Sequence, residues 1–261
     1  MNVKVIVATH KKYTMPNDEM YIPVHVGREG KDDLGYTPDN TGDNISNKNA
    51  YYCELTGLYW AWKNLQADYV GLAHYRRHFS CAKNLPKDIE GRINSTATNK
   101  EIEKLFKETD IILPKKRKYY IENLYDHYKH TMYIEPLDET RKVIEEKYPE
   151  YLEEFDKLHK RTSAHMFNMF IMKKELLDQY CDWLFDILFE LEKRCDPKQY
   201  DSFHARYLGR ISELLLDVWI NTNKLDYKEI KVIDIEKVNW IKKGWSFLKA
   251  KFVGEKYGKS F

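Results

Sequence analysis

Short hydrophobic runs and longer periodic stretches alternate along the chain, and this alternation defines the predicted elements. The run 3–9 is rich in valine and isoleucine, which predicts an opening β-strand. Apolar and aromatic residues then recur every three to four positions over 48–66, which predicts a helix. A short apolar run over 69–73 predicts the next strand, and it ends in a stretch of polar and charged residues. Strands that alternate with helices are typical of α/β proteins with a largely parallel sheet.

The rest of the chain continues this alternation around an irregular early segment. Residues 14–48 lack periodicity and are rich in Pro, Gly, Asn and Asp, and a loop of this length is usually functional. We therefore expect an α/β sandwich to which the irregular middle and the C-terminal helices are additions. The further predicted strands cover 22–27, 110–114, 165–172 and 231–235, the last as an edge strand, and the further helices cover about 98–108, 120–160 with a break near Pro136, 174–193 and 200–222.

Composition changes this picture mainly through its aromatic content. Aromatic residues make up 14% of the chain, with 20 Tyr and 6 Trp. A flat apolar face with a polar edge suits sites for sugars or nucleobases, although such residues fill a core equally well. A net charge of +2 disfavours nucleic-acid binding. The cysteines form no CxxC pair, which is typical of reduced thiols in a cytosolic protein; they are Cys53, Cys81, Cys181 and Cys195.

The sequence contains neither a signal peptide nor an apolar run of about 18 residues. We therefore expect a cytoplasmic protein without a membrane span. The segment 236–261 combines lysines with aromatic side chains, which suits the surface of an anionic membrane, and packing as an ordinary edge helix is the alternative. The sequence thus predicts one domain over 1–235 and a basic aromatic helical extension over 236–261.

The polar run after the predicted strand at 69–73 is the most informative segment. An apolar strand that ends in His74, Arg76 and Arg77 concentrates positive charge at one edge of the sheet. Guanidinium groups bind phosphate oxygens bidentately, and cations here would stabilise a departing diphosphate in sugar-nucleotide chemistry. We therefore predict catalytic roles for Arg76 and Arg77. The alternative is a pair of arginines bound to nearby acids such as Glu54.

A cluster of short polar residues over 43–49 precedes the predicted helix. One such residue is enough to cap a helix, whereas several together can bind a base, ribose or phosphate. Glu54 lies in the first turns of that apolar helix and needs a partner, for which Arg76 or Arg77 is the candidate. The predicted donor-binding residues, which include the polar exit of the first strand, are Thr9, His10, Asp43, Asn44, Lys48, Asn49, Tyr52, Glu54, His74 and Tyr75.

Later in the chain, one acid and one predicted strand supply further candidates. Glu213 begins a strongly apolar stretch, where a carboxylate can act as general base toward a sugar hydroxyl. The alternative is a glutamate favoured by the dipole at a helix start, and spacing alone favours this alternative. The predicted acceptor-binding residues are His165, Asn168 and Met169, although a lone histidine at a strand start is more often structural.

Common metal and cofactor motifs are missing from the sequence. There is no Asp-x-Asp, although Asp88-Ile89-Glu90 lies in a polar loop, and there is no HExxH, P-loop, GxGxxG or GxSxG. We therefore expect a reaction that requires no cofactor and no metal, with Mn²⁺ or Mg²⁺ as the alternative.

Four longer motifs lie along residues 3–235. They read Asn44-Ile45-Ser46-x-Lys48-Asn49-x-x-Tyr52-Cys53-Glu54-Leu55-Thr56, Gly71-Leu72-x-His74-Tyr75-Arg76-Arg77-x-Phe79, Asn168-Met169-Phe170-Ile171-Met172 and Tyr180-Cys181-x-Trp183-Leu184-Phe185. Together they resemble a family of capsular and exopolysaccharide biosynthesis proteins. That family was formerly catalogued as a domain of unknown function and is now grouped with galactofuranosyltransferase-like glycosyltransferases.

The resemblance implies a GT-A-like Rossmann-type sandwich with a mostly parallel central sheet and added C-terminal helices. It implies a UDP-galactose donor in pyranose or furanose form, and it places 74–77 where GT-A enzymes carry Asp-x-Asp, so that arginines would replace the metal. The family's Gly-Glu-Arg-Leu-Leu run here reads Ile211-Ser212-Glu213-Leu214-Leu215, so the glutamate matches and the arginine does not.

The sequence therefore predicts a bacterial glycosyltransferase that moves a hexose from a UDP-sugar to a growing capsule, O-antigen or exopolysaccharide. We expect an inverting, metal-independent transfer to a lipid-linked oligosaccharide or polysaccharide acceptor. Glu213 would deprotonate the acceptor, and Arg76 and Arg77 would stabilise the departing UDP. Peripheral contact with the inner face of the cytoplasmic membrane is a further expectation. The alternatives are a metal-dependent pyranosyl transferase and a non-catalytic nucleotide-sugar-binding subunit of a polysaccharide assembly complex.

Overall fold

The first strand, β1 (Val3–Thr9), lies in the middle of a parallel portion of the sheet. In the computed structural model, which describes residues 1–236, β1 pairs with β2 (Tyr21–His25) on one side and β4 (Tyr69–His74) on the other, and β2 pairs with β3 (Thr37–Pro38). These pairings are all parallel. Residues 5–7 have no exposed surface, as expected for a strand covered on both faces.

Beyond β4 the sheet closes on itself. β5 (Arg77–Ser80) pairs antiparallel with β4 and with β10 (Lys228–Asp234), and β10 pairs parallel with β6 (Ile111–Pro114). β9 (Phe170–Lys173) pairs antiparallel with both β6 and β4, so five strands form a mixed and mostly antiparallel barrel. The predicted GT-A-like Rossmann-type sandwich with a mostly parallel sheet is therefore wrong. The strand predicted at an edge over 231–235 is also internal, because β10 lies between β5 and β6.

Two local features close the barrel. The chain turns back directly after β4, so the polar run that was predicted as a strand exit already contains the start of β5. Gly71, in the middle of β4, faces β9, where an added Cβ would come within 2.8 Å of the carbonyl oxygen of Phe170. Only glycine lets the two backbones approach this closely. Neither the hairpin nor the β4–β9 pairing leaves a signature in hydrophobic periodicity.

The helices cover the outside of the sheet and pack against one another. The large fully buried side chains of this layer include Tyr180, Phe185 and Tyr207. No helix within residues 1–236 is long and apolar enough to cross a membrane. The helices are α1 (Asn49–Tyr52), α2 (Leu55–Asn64), α3 (Ile89–Asn94), α4 (Asn99–Leu105), α5 (Leu124–Thr131), α6 (Glu135–Lys147), α7 (Leu152–Lys160), α8 (Lys174–Arg194) and α9 (Tyr207–Thr222), with short 3-10 turns at Ser46–Lys48, Pro149–Tyr151, Pro197–Gln199 and His204–Arg206; β7 (Arg117–Lys118) and β8 (Ser163–Ala164) form a separate two-stranded sheet.

Several predicted boundaries shift in the structure. The helix predicted over 48–66 is interrupted at Cys53, whose φ of 53° is left-handed. The strand predicted over 165–172 begins only at Phe170, after two residues with positive φ. The break predicted near Pro136 is confirmed between α5 and α6. The predicted extension lies outside the described residues from 237 onward, and so does its expected membrane contact.

Candidate active site

Cationic side chains gather where β1 and β4 end. Partial burial lowers the pKa of His10, which follows β1, and the positive charges of Lys11, Lys31, Arg76 and Arg206 lower it further. These cations therefore all lie around His10, although they come from four different segments of the chain. We call Lys11, Lys31, Arg76, Arg206 and the neighbouring Arg210 the cationic cluster. Such a concentration of positive charge favours an anionic ligand.

The two arginines after β4 have different surroundings. The Arg76 guanidinium lies 5.4 Å from the centroid of the Tyr75 ring and forms no ion pair within residues 1–236. Arg77 is bound to Asp234 of β10, with 3.0 Å between Nε and Oδ1, and its guanidinium lies 4.3 Å from the Phe167 ring centroid. The acid that binds an arginine here is therefore Asp234, not Glu54. Arg76 is the better placed of the two to meet a ligand.

A turn of two left-handed residues before β9 lies beside these cations. Phe167 and Asn168 have φ angles of 76° and 54°, which cost about 1–3 kcal/mol each for residues other than glycine. The Phe167 N–H donates to Glu213 Oε2 at 3.1 Å, and His74 Nε2 donates to the Phe167 carbonyl oxygen at 2.5 Å. The backbone of Phe167 thus connects the end of β4 to α9, and these contacts offset part of the strain.

Asn168 extends the same connection to the start of α2. Its Nδ2 donates to Glu54 Oε1 at 2.8 Å and to the Gly209 carbonyl oxygen at 3.1 Å. The pKa of Arg206 is raised by Cys53, whose Sγ lies 3.0 Å from its Nε, and also by Glu54. Glu54 is therefore held by the Asn168 amide and lies near Arg206, whereas Arg76 or Arg77 was the expected partner.

Glu213 lies inside α9 rather than at its start. The helix begins at Tyr207, so a favourable helix dipole is not the reason for its placement. The residue is 5% exposed, and its carboxylate oxygens accept from the Phe167 N–H and from Arg210 Nη1 at 3.3 Å. These contacts place Glu213 in the site and make it a support of the 167–168 turn. Its predicted role as general base stays a prediction.

The residues that follow β1 and β4 contact one another across the two turns. Thr9 is buried, and its Oγ1 donates to the Lys11 carbonyl oxygen at 2.6 Å. The rings of His10 and Tyr75 meet edge to face, with 5.3 Å between their centroids. Lys11 Nζ lies 5.2 Å from the Tyr75 ring centroid. Tyr75 therefore separates the two turns and contacts cations from both.

Residues 43–52 lie against α2 and α8 instead. Lys48 Nζ binds Glu192 of α8 at 2.6 Å, and the Tyr52 hydroxyl donates to the same carboxylate at 2.9 Å. Asp43 Oδ1 accepts from the Tyr59 hydroxyl at 3.2 Å, so this acid contacts α2. The structure does not bring these side chains to the cationic cluster. The other two predicted residues cap backbone groups: Asn44 accepts from the Ser46 N–H and Asn49 donates to the Cys53 carbonyl oxygen.

Two of the predicted acceptor-binding residues have structural surroundings. His165 is 1% exposed, its Nδ1 contacts Asp217 of α9, and its Nε2 lies 2.9 Å from Glu229 Oε1 of β10. Both ring nitrogens are therefore used to join α9 to the barrel. Met169 has no exposed surface. Of this group only Asn168 lies among the cations, through its contacts with Glu54 and α9.

A buried acid with two histidines lies outside the set of residues predicted from the sequence. The Glu122 side chain is 4% exposed, and its two oxygens lie 2.8 Å from His127 Nδ1 and 2.7 Å from His130 Nδ1. Burial lowers the pKa of His127, Glu122 opposes this, and Arg117 and Arg210 lower it further. The histidine therefore lies near the cationic cluster. Two histidines three residues apart on one helix were the signal in the sequence.

The described residues 1–236 contain no group of three or more His, Cys, Asp or Glu side chains arranged to hold a metal ion. The Glu122 cluster is no exception, because both Nδ1 atoms face the carboxylate. The expected independence of the reaction from divalent metals stays a prediction, with Mn²⁺ or Mg²⁺ as the alternative.

The chain matches a known protein family over most of its length. Residues 4–224 match the family described as a domain of unknown function, DUF4422, and the chain belongs to it. This confirms the family part of the resemblance inferred from the motifs, whereas the galactofuranosyltransferase-like grouping stays a prediction. None of the curated proteins is significantly similar to the chain.

Among solved structures, the chain is similar to one described as the apo structure of the bifunctional glycosyltransferase WbbM. The TM-score is 0.83, the sequence identity is 31%, and the match covers 91% of this chain and 46% of that one. The chain therefore spans about half the length of the WbbM chain.

Proposed function

We propose that this chain is a glycosyltransferase that takes part in polysaccharide synthesis. The observation that carries the proposal is its similarity to the bifunctional glycosyltransferase WbbM, at 31% identity over 91% of this chain. Membership of the DUF4422 family alone names no reaction. The cationic cluster supports the same class, because a nucleotide-sugar donor carries its negative charge on the diphosphate that leaves during transfer.

The donor diphosphate is proposed to bind at the cationic cluster. Arg76 forms no ion pair within residues 1–236, and a guanidinium can bind two phosphate oxygens at once. Arg206 and Arg210 add positive charge from the N-terminal end of α9, where the helix dipole also favours an anion. Arg77 is held by Asp234 and stabilises the Phe167 ring, so its role in this proposal is positional.

The finer specificity rests on the motifs alone. We propose a UDP-hexose donor, with galactose as the sugar in pyranose or furanose form, and a growing surface polysaccharide or its lipid-linked precursor as acceptor. Inversion at the anomeric carbon and independence from divalent metals are part of the same proposal. Product stereochemistry and activity in the presence of EDTA test these two points directly.

Donor binding is tested by calorimetric titration of the full chain with UDP, with and without Mn²⁺. Replacing Arg76 with alanine removes one charge-assisted contact, worth about 1.5–3 kcal/mol, so we expect the Kd to rise roughly 10- to 100-fold. Arg141→Ala is the matched control, because Arg141 lies on α6 and its ion pair with Asp156 is exposed. An unchanged Kd in Arg76→Ala would remove the phosphate contact from the proposal.

Transfer itself is tested with UDP-galactose and a polysaccharide acceptor extract, read out as released UDP and labelled polymer. Binding without turnover would favour the non-catalytic subunit. Binding and turnover only with Mn²⁺ would favour the metal-dependent transferase. The absence of binding to UDP or any other nucleotide would contradict the proposed donor class.

A further inference from the structure

The acid and two histidines at the start of α5 form a preorganised group. Asn123 caps this helix by accepting from the Asp126 N–H at 2.8 Å, which fixes the chain next to Glu122. His127 and His130 lie three residues apart on α5 and therefore share a face. Each contacts its own oxygen of the Glu122 carboxylate, at 2.8 Å and 2.7 Å. The buried acid thus orients both rings.

This contact sets the tautomer of His127. A carboxylate only accepts hydrogen bonds, so Nδ1 of the ring must donate to Glu122. In the neutral imidazole the lone pair then lies on Nε2, which points away from the carboxylate. A carboxylate behind an imidazole in this way fixes the ring's orientation and stabilises the imidazolium that forms when it takes a proton.

His127 also lies near the candidate active site. Its ring centroid lies 4.2 Å from that of Tyr119, and the charges of Arg117 and Arg210 act on it. Arg117 lies 5.8 Å from the ring centroid of Phe167, in the strained turn, and Arg210 binds Glu213. The charged and titratable groups around the imidazole include Glu122 and His130 from its own segment, Arg117 and Tyr119 from the β7 segment, and Arg210 from α9.

We propose that His127, oriented by Glu122, accepts the proton of the acceptor hydroxyl during sugar transfer. This inference rests on the proposed function. The hydroxyl oxygen forms a bond to the anomeric carbon of the donor while the bond from that carbon to the diphosphate oxygen breaks, and the diphosphate leaves with the electron pair. The hydroxyl proton passes to His127 Nε2 and then to solvent. The nucleotide sugar of the proposed function is the only co-reactant required.

The surroundings of Glu213 favour this assignment over the predicted one. One Glu213 oxygen accepts from the Phe167 N–H and the other contacts Arg210, and the side chain is almost fully buried. A proton taken up there would weaken both contacts, which hold the 167–168 turn. Glu213 is therefore a positioning residue in this inference, and His127 is the catalytic residue.

The test compares His127→Asn with the wild-type chain in kcat measured against pH and in UDP affinity. Asparagine retains a donor at the position of Nδ1 for Glu122 and removes Nε2. We expect kcat to fall 10²- to 10⁴-fold with unchanged UDP affinity. In the wild type kcat should fall as the pH drops through the lowered pKa of His127, below 6.5, because the imidazole must be neutral. This acidic limb should be absent in the variant.

Lys129→Asn is the matched control, since Lys129 is exposed on the same helix and should leave kcat unchanged. Glu122→Gln gives an independent readout, because loss of the carboxylate should move the acidic limb to lower pH. A His127→Asn variant that binds UDP and retains both kcat and the acidic limb would overturn the inference, as would loss of the limb in Glu213→Gln alone. A wild-type chain that binds nucleotide but transfers no sugar would instead remove the proposed function, and this inference with it.

Discussion

Closure of the barrel depends on a single glycine, and this dependence can be measured. In Gly71→Ala the added Cβ would come within 2.8 Å of both the Phe170 carbonyl oxygen and Ile171 Cγ1, distances that real Cβ atoms essentially never show. The Ile171 side chain can rotate, but the Phe170 oxygen belongs to the backbone of β9. Relief therefore requires that β4 and β9 move apart, which weakens the pairing that closes the ring.

Overpacking of this kind typically costs 1–3 kcal/mol. For a chain of this size we expect the melting temperature to fall by about 2–10 °C, measured by circular dichroism with urea unfolding as the second readout. The 167–168 turn leads directly into β9 and lies beside the cationic cluster, so UDP affinity should fall as well.

Gly209→Ala is the control for this experiment. Its added Cβ would lie 3.4 Å from Cys53 Sγ, an ordinary contact, and alanine is favoured over glycine in a helix such as α9. This variant should be as stable as the wild type or more so. A Gly71→Ala variant that melts within about 1 °C of the wild type would refute the steric argument.

Two further predictions concern residues away from the cationic cluster. Lys48→Met should leave UDP affinity unchanged and lower the melting temperature, because Lys48 binds Glu192 of α8; a loss of affinity in calorimetry would restore its predicted donor role. Burial lowers the pKa of His78 to about 4 in the folded chain, so between pH 6.5 and 4 only the unfolded state takes up the proton. The free energy of unfolding should therefore decrease as the pH falls through that range, and it should do so less in His78→Phe, as measured by urea unfolding.

The sequence predicts the local elements better than their arrangement. The β-branched run of β1 and the helical spacing of α8 are local patterns, and both elements form close to their predicted positions. The pairing of β4 with β9 joins residues about a hundred positions apart, and no local pattern encodes it. The hairpin after β4 was hidden because the polar residues that make its turn also looked like a ligand-binding strand exit.

The site follows the same division between local and long-range information. Arg76 and His74 could be predicted because polar residues after a buried strand collect at one sheet edge. The positions of Arg206 and His127 beside them could not, because the segments before α9 and in α5 are placed by the packing of the whole chain. The polar cluster at 43–49 looks like a ligand loop in the sequence, yet its side chains cap helices and bind α8.

Ring closure also affects how this protein can associate with itself. An open sheet presents two edge strands, and each carries unpaired backbone groups that can pair with a second copy. In residues 1–236 one end of the main sheet is β9, and its pairing with β4 closes the barrel there. The remaining edge strand of the main sheet in these residues is β3. β3 has only two residues, and Pro38 supplies no N–H. The main sheet is therefore protected against edge-to-edge aggregation by its topology on one side and by a short, proline-containing strand on the other.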